Sequence, residues 1–132
     1  MQWIKPRFRD EFGEFQRISK HFGIPLWKLL YWFFMGRMVR LSDNVWSAME
    51  NTDSWDTTTL ESVRYHADHI GRDVERILSA LSNPHGQLPV PVVLCLPDGR
   101  YHLVAGNTRL MVSRALGIKP TVLVIGHHTP VE

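Results

Sequence analysis

Two short stretches hold the residues best suited to chemistry. In "VAGNTRL", Val104 to Leu110, a glycine, an asparagine, a threonine and an arginine stand in a row where an apolar run gives way to a helical pattern. The first N–H groups of a helix lack an intrahelical acceptor, and the helix dipole adds partial positive charge there. Gly106 leaves room for a close approach, Asn107 or Thr108 can cap, and Arg109 adds a fixed cation with forked donors. A phosphate suits such a place. The same pattern also describes a plain capped helix whose arginine faces water. In "MENTDSWD", Met49 to Asp56, the acids Glu50, Asp53 and Asp56 lie close together among hydrogen-bonding side chains. Phosphoryl transfer to a hydroxyl needs a group that orients or deprotonates the acceptor, and usually Mg²⁺ held by carboxylates. Glu50 and Asp53 are the catalytic candidates, and Asp53 the metal-ligand candidate. An ordinary capping loop would use the same residues.

Other groups carry weaker signals. By strand alternation His102, Val104 and Gly106 share one face, which places His102 to approach a ligand at the knot. His66 and His69 share a helix face, but no third ligand stands at a diagnostic spacing. Cys95, the single cysteine, sits in the apolar run "VPVVLCLP" and reads as a small buried hydrophobe. "RISKHFGIPLWKLLYW" has a helix-turn-helix look, yet Leu26, Trp27, Leu30 and Tyr31 stand where a recognition helix offers polar side chains.

The elements that position these residues follow from periodicity. Phe12, Phe15, Ile18 and Phe22 mark a helix over 10–22, with Asp10 able to cap its start. A second helix runs from Pro25 to about Met35, where Gly36 ends it. It is apolar nearly all round, so it is expected to be buried or covered by a partner. A short strand spans Met38–Leu41, a loop rich in Asn, Asp, Ser and Thr follows, and helix resumes over 59–81. "SNPHGQLP" reads as a loop. Val90–Leu96 and Tyr101–Ala105 form a hairpin about "PDG". A helix over Thr108–Leu116 ends at Gly117, and Thr121–Ile125 is the last strand. The tail "GHHTPVE" is expected to be loose.

The run "YHLVAGNTRLMVSRALGIKPTVLVI", with "LPVPVVLCLPDG" before it, resembles the signature of the ParB/sulfiredoxin superfamily over about Ile77–Ile125. There a strand ends in Gly-x-x-Arg or a close variant, then come a helix and a strand. "AGNTRL" is also similar to small ParB-like proteins of bacteriophages. The resemblance implies an α/β (α+β) fold, a small mixed sheet packed with helices. It divides the chain into an N-terminal helical extension (1–37, part of the same compact unit), a nucleotide-binding domain (38–126) and a tail (127–132). It implies a triphosphate, ATP or CTP with Mg²⁺, held by Gly106, Asn107, Thr108 and Arg109. Its members include CTP-hydrolysing partitioning proteins, ATP-using sulfiredoxins and free-serine kinases. Asn107 stands where sulfiredoxins carry their cysteine, which removes sulfinic-acid repair. Thr108 stands where the serine kinases have a histidine. The implied activity is kinase-like transfer of a γ-phosphate to a hydroxyl on a small molecule or on a modified base of DNA. The alternative is a non-catalytic nucleotide- or DNA-binding module. On either reading Gly106→Ala is expected to stay folded near the wild-type melting temperature and to bind nucleotide more weakly.

Bulk properties set the frame. The chain of 132 residues has the size of one ordinary domain, is 44% hydrophobic and carries a net charge of +2. Residues 1–40 hold eight Lys/Arg against three Asp/Glu, a net of +5, and residues 41–132 hold seven against ten, a net of −3. The basic third suits DNA or another acidic surface, or is a solvated face. The lone cysteine fits a reducing cytoplasmic compartment. The apolar run Ile24–Met35 is too short to span a bilayer, so no membrane partner is expected. It is also the segment that a homodimer would use.

Overall fold

Period-two alternation builds the centre of the molecule. The computed structural model describes residues 1–40, 49–50, 74–118 and 120–126, with backbone alone at 49, 50, 107 and 114. The strands are β1 (Gln2–Ile4), β2 (Arg37–Arg40), β3 (Met49–Glu50), β4 (Gln87–Pro89), β5 (Val92–Cys95), β6 (Tyr101–Ala105) and β7 (Thr121–Gly126). Five of them form a mixed sheet in the order β2-β7-β5-β6-β3. Within it β2/β7 and β5/β6 are antiparallel, and β5/β7 and β3/β6 are parallel. The chain is a mixed α/β protein.

Helices cover both faces of this sheet. On one face Val93, Cys95, Leu103, Val122 and Val124 pack against α3 (Val74–Ser82) and α4 (Asn107–Ala115). On the other, Val92, Leu94, Val104, Leu123 and Ile125 pack against α1 (Phe12–Phe22) and α2 (Leu26–Met35). The N-terminal helices therefore form one of the two layers that bury the sheet. β1 also pairs in parallel with β4, tying the first residues to positions 87–89. Across the described residues no structural break falls at 37/38.

Several local expectations change. Asp10 does not cap α1: it lies in a 3₁₀ turn (Phe8–Glu11), and Glu11 precedes the helix without a capping side-chain bond. The loop expected over "SNPHGQLP" contains β4, and Glu50, expected in a loop, lies on the edge strand β3. Backbone pairing with β1 and β6 makes these short strands, and no local pattern announces it. Gly36 follows α2 in an extended conformation, and glycine is needed there for space: a Cβ would stand 2.9 Å from Ile125 Cγ2 and 3.0 Å from Val124 O. Helix α2 is not buried all round. Leu29 and Phe33 turn inward, while Trp27, Tyr31, Phe34 and Met35 are exposed. No described helix is long and apolar enough to cross a membrane. Of the helix expected over 59–81, Val74–Leu81 is described. His66, His69, Asp53, Asp56 and the tail lie outside the described residues.

Candidate functional site

The knot forms where β6 hands over to α4. Gly106 joins them at φ +94°, a conformation that side chains rarely adopt. The helix starts at Asn107, and the Leu110 N–H closes its first turn on Gly106 O at 2.8 Å. A glycine in the capping position supplies no side-chain oxygen. At the start of a helix the N–H groups of Thr108 and Arg109 have no carbonyl four residues back within the helix to receive them. Thr108 is buried, and the Ser113 hydroxyl donates to Arg109 O at 2.9 Å, one turn back along α4. The open first turn that anion binding requires is therefore present.

Arg109 does not face water. Its Nη2 donates to Glu11 Oε1 at 3.0 Å, with the two side chains 16% and 14% exposed. Its Nε is buried, with no hydrogen-bond partner among the described residues. Helix α1 adds a second cation nearby: Arg17 Nη2 donates to Val104 O at 3.3 Å and Nε to Glu14 Oε2 at 3.1 Å. The first two turns of α1 and the 3₁₀ turn before it thus lie across the β6–α4 junction. Two cations and two carboxylates meet there, and the Glu11 carboxylate bonds the guanidinium that an anionic ligand would use. Glu11 and Arg17 were not among the expected site residues. The available signal is that Glu11 and Glu14 are acids in a segment of net charge +5.

The other expected site residues fall elsewhere. His102 is not at the knot. It is 3% exposed and packs edge-on to Phe22, with ring centroids 5.0 Å apart, and against His21 at 5.9 Å. Alternation places it correctly on the α1 face, but the far end of α1 covers it there. Glu50 is in register with His102 on the neighbouring strand. That position is four residues ahead of Gly106, about 13 Å along β6. Sheet pairing thus brings Glu50 beside His102 and keeps both away from Arg109. Among the described residues no three carboxylate, imidazole or thiol groups gather as a metal site.

Gly106 is also more than a clearance for ligand. A Cβ there would stand 2.8 Å from Pro91 Cα and 3.0 Å from Arg109 Nη2. The expectation that Gly106→Ala folds like wild type is therefore corrected: the space beside the glycine is already filled by backbone. The chain was set against family models, curated proteins and solved structures, with no match among them.

Proposed function

We propose that the chain is a binding module for a phosphorylated ligand, most simply a nucleoside triphosphate, received at the start of α4. The observation that carries this reading is the glycine-led first turn of α4 beside a packed arginine whose Nε lacks an acceptor among the described residues. Backbone N–H groups, the helix dipole and a guanidinium converging on one point are what a phosphate group selects. The similarity of "AGNTR" to the ParB/sulfiredoxin knot supports ATP or CTP as the ligand, and a fold of that type. The basic N-terminal third supports DNA as a second acidic partner. The buried thiol of Cys95 suits a reducing cytoplasm.

In this reading Glu11 is the internal competitor. A phosphate oxygen must share Arg109 with it or displace it. Titration calorimetry with ATP and with CTP is the test. Arg109→Ala should weaken binding by about 1.5–3 kcal/mol, through loss of a charge-assisted partner. Glu11→Gln should tighten it about fivefold, because a neutral amide no longer repels the incoming charge. Unchanged affinity in Arg109→Ala would move the phosphate site away from the knot.

A second reading is phosphoryl transfer to a hydroxyl, which has to bridge the roughly 13 Å that β6 puts between the paired positions Glu50 and His102 and the knot. In such a step the bond between the γ-phosphorus and the ADP oxygen breaks as a bond to the acceptor oxygen forms. The hydroxyl proton passes to a carboxylate, with Glu50 as the candidate base and Asp53 as the candidate ligand for Mg²⁺. The protein should then consume ATP with Mg²⁺, and Glu50→Gln or Asp53→Asn should lower turnover at least about a hundredfold with little change in ATP affinity. Wild-type protein that binds ATP without turnover over hours leaves only the binding module.

A further inference from the structure

The end of the sheet remote from the knot carries a second concavity. There β5 runs out into the Pro97–Arg100 turn, and α1 bends into α2 at Gly23–Pro25 against it. Between them lies a cavity of about 410 Å³. That volume falls within the range of small-molecule sites, about 300–1,000 Å³. Phe22, Ile24, Trp32, Leu94 and Leu96 give it apolar walls.

Its frame is held in shape by local bonds. Gly23 takes φ +67° at the C-terminus of α1, and the Ser19 hydroxyl donates to Ile24 O at 2.6 Å. On the opposite wall Gly99 takes φ +87°, and its N–H donates to Leu96 O at 2.9 Å.

Among the described residues, three charged ones line the cavity. Two of them engage each other: Arg100 donates from its backbone N–H to Asp98 Oδ1 at 3.1 Å and from Nε to Oδ2 at 2.7 Å. Those bonds, the backbone one first, hold the Asp98 carboxyl below its ordinary pKa, so the pair stays charged and mutually compensated at neutral pH. Lys28 is the third. Its Nζ lies 5.1 Å from the Trp32 ring centroid, and no carboxylate pairs with it among the described residues. The described part of the lining therefore carries one positive charge in excess, next to an indole ring.

A cationic point beside an aromatic wall and an aliphatic floor selects a flat apolar molecule with one negative end. We propose that this cavity binds a small aromatic carboxylate, its rings against Trp32 and the aliphatic wall and its carboxylate on Lys28. The length of β6, about 15 Å, separates it from the knot, so it does not depend on the phosphate reading.

Calorimetry with 2-naphthoate and its neutral analogue 2-naphthamide separates the charge from the shape. Wild type should bind the carboxylate at one site per chain, at least about fivefold more tightly than the amide. Lys28→Met should bring the two ligands to parity, Lys28→Arg should restore the preference, and Arg109→Ala should leave it unchanged. Methionine and arginine both suit a helix, so the variants are expected to fold. Absence of saturable binding of 2-naphthoate by wild type would overturn the proposal. A carboxylate preference that survives Lys28→Met, or disappears in a folded Arg109→Ala protein, would overturn it equally.

Discussion

Gly106→Ala is expected to lower the melting temperature by about 10 °C. At φ +94° an L side chain costs about 1–2 kcal/mol. The new Cβ would then sit 2.8 Å from Pro91 Cα and 3.0 Å from Pro91 Cβ. Pro91 cannot easily retreat, because it is buried and its carbonyl accepts the Leu123 N–H at 2.9 Å, fastening the start of β5 to β7. Overpacking against such a wall adds about 1–3 kcal/mol. The sum is about 3 kcal/mol, and in a chain of this length each kcal/mol moves the midpoint by about 3–4 °C. Thermal unfolding followed by circular dichroism measures it. A midpoint within about 2 °C of wild type would mean that β5 can shift away from Gly106 at little cost. The consequence for function is direct. Weaker nucleotide binding by this variant would report a displaced knot, so Arg109 and Glu11, whose side chains can be exchanged without altering the backbone, are the residues that test the ligand.

The contrast between this knot and its surroundings shows which features are legible in a sequence. The hairpin, α4 and β7 are announced by local signals: "PDG" at the turn, alternation along Tyr101–Ala105, Gly117 after the last helical turn. All of them lie where expected, within a residue or two. Glu11 is different. It meets Arg109 across 98 positions of chain, and a contact of that span leaves no trace in spacing or periodicity. The pairing of β1 with β4 is equally remote, and each strand is three residues long, too short to show alternation. For His102 the pattern gives the face of the strand but not its neighbour, because the direction in which α1 crosses the sheet is decided by packing. Helix α2 shows the same limit from the other side. A segment apolar all round contains no information about which stripe turns inward, and the structure selects Leu29 and Phe33 and leaves Trp27, Tyr31 and Phe34 outside.

Phe15→Ala tests whether the N-terminal helices are integral to the sheet, and its expected effect is the largest. Phe15 is fully buried between the sheet and two other rings, with centroids 4.5 Å from Phe8 and 5.7 Å from Phe33. Truncating it removes the transfer free energy of the ring and leaves a cavity that neighbouring aromatics fill only in part. The expected cost is about 3–5 kcal/mol, or a fall of about 10–18 °C in midpoint for this length. Because Phe15 shares one core with Leu94, Leu123 and Ile125, the loss should be felt by strands far away in sequence. Hydrogen exchange should show the amides of β5 and β7 losing protection together with those of α1, in a single unfolding transition. Two separate transitions, with α1 and α2 melting first and β5 and β7 retaining their protection, would make residues 1–37 a detachable extension. The outcome also bears on the knot. Glu11 and Arg17 flank Phe15 on the segment that crosses the β6–α4 junction, so their hold on Arg109 and on Val104 O depends on that ring. If the helices are integral, the carboxylate that competes for Arg109 is fixed by the hydrophobic core, and a phosphate must compete with it in every folded molecule.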